Sequence, residues 1–243
     1  MIGPAIGLAG LAARVPGWLA CPARSPAARR YERAALAGIA RGFRIALEVE
    51  GLRADGPTLF VANHLSWADI AVLGSFLDAD FVSRADVADW PLIGPLARRV
   101  APVFVARHCR ATTATQADAI RARLSAGRSV LLFAEGTTSD GADVLPFRSS
   151  LFDAADAART VQPVMLRYLT RDGDALDAAR MREIAWIGDD RFLPNAIALA
   201  RSPVLARIAF LRPLDPATPR KSLAAEARER IRAAYAAAPN RSR

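Results

Sequence analysis

From residue 46 onward the chain alternates short apolar runs with helical patterns. The apolar runs predict strands at 46–50, 58–62, 80–83, 102–106, 129–133, 161–167, 184–187 and 205–211. Apolar residues spaced three and four apart predict helices at 67–77, 90–99, 113–126, 149–158, 195–201 and 220–238. Strands that alternate with helices are typical of an α/β domain. We therefore expect one domain over 46–243, with a largely parallel or mixed central sheet flanked by helices.

Residues 1–45 have a different pattern, which predicts an N-terminal helical segment that associates with membranes. The apolar run over 2–13 is shorter than the roughly 20 residues of a membrane-spanning helix, so it suits an interfacial segment or a flap packed on the core. A helix predicted at 28–46 has apolar residues on one face and arginines on the other, which is typical of a membrane-surface helix or of an ordinary solvated one. Its basic face consists of Arg30, Arg33, Arg41 and Arg44.

Composition limits the possible partners and cofactors. The net charge of +9 over 243 residues favours an anionic partner, and an anionic phospholipid surface fits it better than nucleic acid because no zinc-finger spacing or RNP motif is present. Two cysteines and two histidines exclude a disulfide scaffold and a cysteine-rich zinc site. Lys221 is the only lysine, and it follows no glycine-rich loop, which excludes a P-loop.

The turn after the strand at 58–62 contains the first candidate chemistry. His64 lies just beyond the strand, and Ser66 followed by Asp69 is a capping-box pattern at the start of the next helix. An aspartate that accepts from one imidazole nitrogen fixes the tautomer and raises the basicity of the other nitrogen. We therefore expect a His64–Asp69 pair at the carboxyl end of a strand, where open α/β sheets place their sites. An isolated pair of this spacing also suits a capping aspartate beside a structural histidine.

Two further strand ends carry polar residues. The strand at 129–133 leads into a loop with Glu135, Gly136 and Thr137, whose backbone N–H groups and hydroxyls suit an oxyanion or a headgroup. The strand at 102–106 is followed by Arg107, which has the geometry to bind phosphate bidentately.

Four blocks of this sequence, in order, resemble the glycerolipid acyltransferase superfamily, whose best-known branch is the lysophosphatidic acid acyltransferases. Residues 63–69, Asn-His-Leu-Ser-Trp-Ala-Asp, are similar to that family's N-H-x-x-x-x-D block. Phe-Ala-Glu-Gly-Thr at 133–137 resembles its F-P-E-G-T block. Phe-Val-Ala-Arg at 104–107 and Val-Gln-Pro-Val at 161–164 resemble the second and fourth blocks. The resemblance covers roughly residues 46–212.

The resemblance implies transfer of a fatty acyl group from an acyl thioester, either acyl-CoA or acyl carrier protein, to the hydroxyl of a lysolipid such as 1-acyl-sn-glycerol-3-phosphate. His64 would be the general base, and Asp69 would orient it. The expected substrate-binding residues are Arg107, Glu135, Gly136, Thr137 and Thr138. This chemistry requires no metal and no organic cofactor. The expected location is the cytoplasmic face of a bacterial inner membrane, with peripheral or N-terminal attachment.

One departure from the family pattern, together with the charge of the loop that follows it, bears on the acceptor. Thr138 stands where an arginine often follows E-G-T, and Asp140 makes the loop less basic, which favours a headgroup less anionic than a phosphomonoester. Lyso-ornithine lipid is therefore an alternative acceptor. A thioesterase or lipid hydrolase is a second alternative, although the G-x-S-x-G elbow is absent. A non-catalytic, basic membrane-binding protein is the third.

Overall fold

The structure is a computed structural model that describes residues 16–18, 20–22, 25–84, 103–105 and 110–237. The strands of this part of the chain are β1 (Ile45–Glu50), β2 (Thr58–Ala62), β3 (Ala79–Arg84), β4 (Val103–Val105), β5 (Ser129–Phe133), β6 (Thr160–Thr170) and β7 (Val204–Phe210). The α-helices are α1 (Pro26–Gly42), α2 (Ala68–Gly74), α3 (Arg110–Ser125), α4 (Ala178–Ile184), α5 (Phe192–Ala200) and α6 (Arg220–Ala237).

The strands form one seven-stranded sheet in the order β1-β7-β6-β2-β5-β3-β4. Only the β6–β7 pair is antiparallel among the described strand pairs. The expected α/β class with a mixed central sheet is therefore confirmed. All five residues of β2 are buried, as is usual for an interior parallel strand covered on both faces. Because β2, β5 and β6 run in parallel, their carboxyl ends lie at one edge of the sheet, which we call the site edge.

Two predicted elements are wrong. The strand predicted at 184–187 does not form, because Ile184 is the last residue of α4 and the chain leaves it without joining the sheet. The helix predicted at 149–158 is instead a pair of 3-10 helices, Ser149–Phe152 and Ala155–Ala157. Most apolar residues of that stretch are still buried, so the apolar spacing predicted burial correctly although the type of helix was wrong. The helix predicted at 90–99 lies outside the described residues.

Helix α1 packs on the domain, so that one arginine of the predicted basic face pairs with the domain while the others are exposed. Leu36 lies against α2, where a Cβ added to Gly74 would come within 2.5 Å of its Cδ1. Arg33 is 3.5 Å from the carboxylate of Asp78, so it is an ion-pair partner of the domain. The other arginines of that face are exposed: Arg30 and Arg41 on the helix, and Arg44, which lies beyond it because the helix ends at Gly42 rather than at the predicted residue 46.

The apolar run at 2–13 lies outside the described residues. Within the described ranges, the helices are all too short or too polar to cross a bilayer. Attachment of residues 1–45 to a membrane surface stays a prediction.

Candidate functional site

The turn that follows β2 is anchored at its first residue. Asn63 is 1% exposed, and its side-chain amide donates to the carbonyl oxygen of Leu166 in β6 at 2.8 Å. Its Oδ1 accepts from the backbone N–H of Leu166, also at 2.8 Å. This reciprocal pair continues the β2–β6 ladder by one residue through a side chain. The backbone of the next residue, His64, is therefore held in a fixed position at the site edge.

His64 and Asp69 form the predicted contact. Nδ1 of His64 lies 2.8 Å from Oδ2 of Asp69. The Asp69 side chain is fully buried, whereas that of His64 is 17% exposed, so the pair has an inner carboxylate and an imidazole that reaches solvent. The imidazole ring stacks on Phe133, the last residue of β5, with ring centroids 3.9 Å apart. With Nδ1 directed to the carboxylate, Nε2 is the nitrogen available to an incoming hydroxyl.

The start of α2 holds Asp69 in place, but not through the predicted serine cap. The helix begins at Ala68, and the hydroxyl of Ser66 is 3.4 Å from the N–H of that residue. The reciprocal half of the capping box is present, because Oδ2 of Asp69 accepts from the N–H groups of Leu65 and Ser66 at 2.7 and 3.0 Å. One carboxylate oxygen therefore both orders the turn and contacts the imidazole.

Tyr168 is a member of the site that the sequence did not indicate. It lies in β6, and its hydroxyl donates to Oδ1 of Asp69 at 2.8 Å, so both carboxylate oxygens are bonded. Burial, together with the Asp69 carboxylate, holds the pKa of Tyr168 well above its ordinary value, and the phenol therefore stays protonated. The two residues are 99 positions apart, a separation over which local spacing carries no signal.

Glu135 faces inward, where its carboxylate meets backbone N–H groups instead of solvent. It is 3% exposed, and its Oε1 accepts from the backbone N–H of His64 at 2.9 Å. Its Oε2 accepts from the N–H of Leu145 at 3.3 Å. Burial raises the pKa of Glu135 to about 7, against the opposing effect of these two N–H groups. In this arrangement the carboxylate positions the backbone of His64.

The turn after β5 brings a cation to the site edge. Gly136 has a φ of 69°, which favours glycine, and a Cβ added there would lie 2.6 Å from Nε of Arg148. Arg148 is exposed, and its own N–H donates to the carbonyl oxygen of Ala134 at 2.9 Å. Its guanidinium is therefore laid against the glycine of the Glu-Gly-Thr turn. The sequence pattern does not mark Arg148 as a site residue, because an arginine twelve positions after Gly136 resembles any basic residue in a loop.

Hydrogen bonds join the turns after β2 and β5 to the segment after α4. The N–H of Ser139 donates to the carbonyl oxygen of His64 at 2.9 Å, and the N–H of Trp186 donates to that of Leu65 at 3.0 Å. The hydroxyl of Thr138 donates to the carbonyl oxygen of Trp186. Thr138 thus uses its hydroxyl as a donor within the protein, and three separate segments are fixed to one another.

The remaining predicted residues are distributed as follows. Gly136 and Thr137 lie half-buried at the site edge beside Thr138. Arg107 lies outside the described residues. In the ranges that the structure describes, no three His, Cys, Asp or Glu side chains gather as metal ligands do.

The chain is similar in sequence to known acyltransferases. A family model described as Acyltransferase matches residues 44–167. A lyso-ornithine lipid O-acyltransferase of Brucella abortus is 37% identical over 207 residues, which cover 80% of this chain and 78% of the relative. A lyso-ornithine lipid O-acyltransferase of Pseudomonas aeruginosa is 32% identical, over 98% of this chain and 94% of the relative.

A solved structure has the same fold. The 1-acyl-sn-glycerophosphate acyltransferase PlsC of Thermotoga maritima superimposes with a TM-score of 0.69, over 96% of this chain and 89% of that one. The sequence identity is 21%, so this likeness concerns the fold.

Proposed function

The chain belongs to the acyltransferase family and is an O-acyltransferase that acylates lysolipids in lipid biosynthesis, and we propose that it uses His64 and Asp69 to acylate lyso-ornithine lipid. The observation that carries the mechanism is the 2.8 Å contact between Nδ1 of His64 and Oδ2 of Asp69. It leaves Nε2 of a partly exposed imidazole as the base.

The reaction follows from this arrangement. Nε2 of His64 removes the proton of the acceptor hydroxyl, and the oxygen attacks the carbonyl carbon of the acyl thioester. The tetrahedral oxyanion is stabilised by the backbone N–H groups of Thr137 and Thr138, because that of Gly136 already donates to the carbonyl oxygen of Phe133 at 3.1 Å. The C–S bond then breaks, the thiolate takes the proton from the imidazolium, and the acyl ester and free thiol leave. Asp69 stabilises the imidazolium while it exists. No serine or cysteine needs to be acylated.

The acceptor proposal rests on the charges at the Glu-Gly-Thr turn. Thr138 supplies a neutral hydroxyl that is already bonded to the Trp186 carbonyl, so this position adds no cation. Asp140 is exposed on the same loop and is available to an ammonium group. Arg148, beside Gly136, is available to a carboxylate. An amino-acid headgroup, which carries both an ammonium group and a carboxylate, fits this turn better than a phosphomonoester. The Brucella and Pseudomonas relatives are named for the same acceptor, lyso-ornithine lipid.

The acceptor is tested by comparing kcat/KM for lyso-ornithine lipid and lysophosphatidic acid, each with acyl-CoA and with acyl carrier protein as donor. We expect wild type to favour lyso-ornithine lipid and Thr138→Arg to shift the ratio toward lysophosphatidic acid. Thr218→Arg adds the same charge near Leu214, at the opposite edge of the sheet, and is the matched control. A strong wild-type preference for lysophosphatidic acid that Thr138→Arg leaves unchanged would contradict the acceptor proposal.

The catalytic role is tested separately with His64→Ala. We expect turnover to fall by about 10²–10⁴-fold, because a general base is lost, while circular dichroism and the melting temperature stay near wild type. Product analysis separates the hydrolase alternative, since release of free fatty acid without diacylated lipid would indicate water as the acceptor. Normal turnover in folded His64→Ala protein would disprove the mechanism.

The same proposal places the protein at the cytoplasmic face of the inner membrane, held by residues 1–45 and by anionic lipid. Arg30 and Arg41 on α1, and Arg44 just after it, support this placement, because they are exposed and attract anionic headgroups. This attraction is screened by salt over about 10 Å at 0.1 M ionic strength, so part of the membrane-bound protein should be released by high salt. Recovery of all the protein in the soluble fraction at low salt would contradict this placement.

A further inference from the structure

Helix α5 exposes an apolar face. Phe192, Leu193 and Ile197 are 39%, 67% and 47% exposed, although the helix has only nine residues. Leu193 and Ile197 lie four residues apart on the exposed side, whereas Ala196 and Leu199 are buried, and Phe192, four residues before Ala196, lies at the end of that buried side. Isolated exposed apolar residues are ordinary, but three large ones on one short helix form a patch of the kind that marks an interaction surface.

This face is joined directly to the catalytic turn. The ring of Phe192 lies 5.0 Å from that of Trp67, which stands between His64 and Asp69 in sequence. Nε1 of Trp67 donates to Oδ1 of Asn195 on the buried side of α5 at 2.8 Å. Helix α5 is therefore connected through Trp67 to the turn that contains His64.

Exposed arginines border the face. Arg191 immediately precedes α5. Arg41 and Arg44 flank Phe43, whose ring is 5.0 Å from Trp67 on the side of α1. All three arginines are exposed, and none has an ion-pair partner in the described part of the chain.

The neighbouring acidic residues are mostly neutralised. Asp190 is paired with Arg182 at 2.8 Å, and Glu183 with Arg201 at 3.0 Å. Asp189 is exposed near the start of the helix, so the three bordering arginines outnumber the exposed acidic group. The border of the face is therefore positive.

We propose that the apolar face of α5 inserts into the headgroup boundary of an anionic bilayer, with the bordering arginines on the lipid phosphates. An apolar strip with a cationic border is the pattern of an interfacial helix. Three side chains fall short of the roughly 800 Å² per partner of a stable protein interface, which argues against a second copy of the chain. This inference rests on the proposed function, because a lysolipid acceptor has to reach His64 from a bilayer. It adds a second membrane contact to residues 1–45.

The test is the binding of full-length protein to vesicles of phosphatidylglycerol and phosphatidylcholine, measured by co-sedimentation without donor or acceptor. Leu193→Ser combined with Ile197→Ser is expected to weaken binding at least about tenfold, because two exposed apolar side chains no longer insert. Both residues are exposed, so the melting temperature should stay near wild type. Leu52→Ser is the matched control. Leu52 is 90% exposed and follows the carboxyl end of β1, which lies at the edge of the sheet opposite the site.

Arg41→Gln combined with Arg44→Gln should weaken binding to these vesicles but not to vesicles of phosphatidylcholine alone. Equal binding by the α5 double variant and the Leu52→Ser control would overturn the proposal. So would a dimer, seen by analytical ultracentrifugation, that the α5 substitutions dissociate without a change in vesicle binding. Because no substrate is present, binding through α5 can be established even if wild type acylates no lysolipid, and the two proposals fail independently.

Discussion

Glu135 makes the unfolding free energy depend on pH in a way that can be worked out from its surroundings. Its carboxyl is 3% exposed and has a pKa of about 7 in the folded protein, raised by burial from the ordinary 4.5. Between these two values the folded chain binds a proton that the unfolded chain does not. The unfolding free energy therefore falls as the pH rises from about 4.5 through about 7, and above that range this contribution stays lost.

The size of the effect follows from the same numbers. One pKa unit corresponds to 1.36 kcal/mol, so the rise from 4.5 to about 7 corresponds to about 3 kcal/mol in full, and to about 2–3 kcal/mol between pH 5 and pH 8. Glu135→Gln replaces the carboxyl with an amide that resembles its protonated form and cannot ionise. The amide oxygen can still accept from the N–H of His64. We therefore expect this variant to match wild type at pH 5 and to be about 2–3 kcal/mol more stable at pH 8.

The measurement is urea unfolding of wild type and Glu135→Gln at pH 5 and pH 8. The change in unfolding free energy between the two pH values is compared for the two proteins, because the contributions of all other titrating groups then cancel. Glu229→Gln removes a carboxylate that is 67% exposed and should keep the wild-type pH dependence. If wild type and Glu135→Gln lose the same free energy between the two pH values, the assignment of the raised pKa to burial of Glu135 is refuted.

Three other predictions concern the site. Tyr168→Phe should lower kcat about tenfold in steady-state kinetics with little change in KM, because Oδ1 of Asp69 loses a buried hydrogen-bond donor. The control is Tyr31→Phe, which alters an exposed tyrosine. Gly136→Ala should lower the unfolding free energy by about 2 kcal/mol, measured by urea denaturation, because its φ is 69° and Arg148 occupies the space of the Cβ. EDTA should leave acyl transfer unchanged, and a loss that added zinc restores would contradict a metal-free mechanism.

The strands that build the site were predictable because their signals are local. β2 and β5 are short apolar runs that end in polar turns, and both form as predicted. The spacing of His64 and Asp69 was enough to predict their contact, since both lie in one turn. Their catalytic roles stay predictions.

What the sequence could not indicate depends on long-range packing. Tyr168 reaches Asp69 only because β6 pairs with β2, and nothing near either residue in sequence reports that pairing. Glu135 was expected to hold a headgroup, but its carboxylate turns inward to backbone N–H groups, a choice that only the tertiary structure decides. Helix α4 did have a local signal that was missed, because Asp177 caps it by accepting from the N–H of Arg180 at 2.7 Å.

The cross-bonding of the turns has a consequence for amide hydrogen exchange. The N–H of His64 donates to Glu135, while the N–H groups of Ser139 and Trp186 donate to the carbonyl oxygens of His64 and Leu65. None of these amides belongs to a regular helix or strand, yet each becomes free to exchange only when two chain segments separate. These three amides should therefore exchange at similar rates, as one cooperative opening unit. If a single distant substitution accelerates exchange of all three amides while the amides of the sheet stay protected, the turns that hold His64 have loosened without loss of the fold.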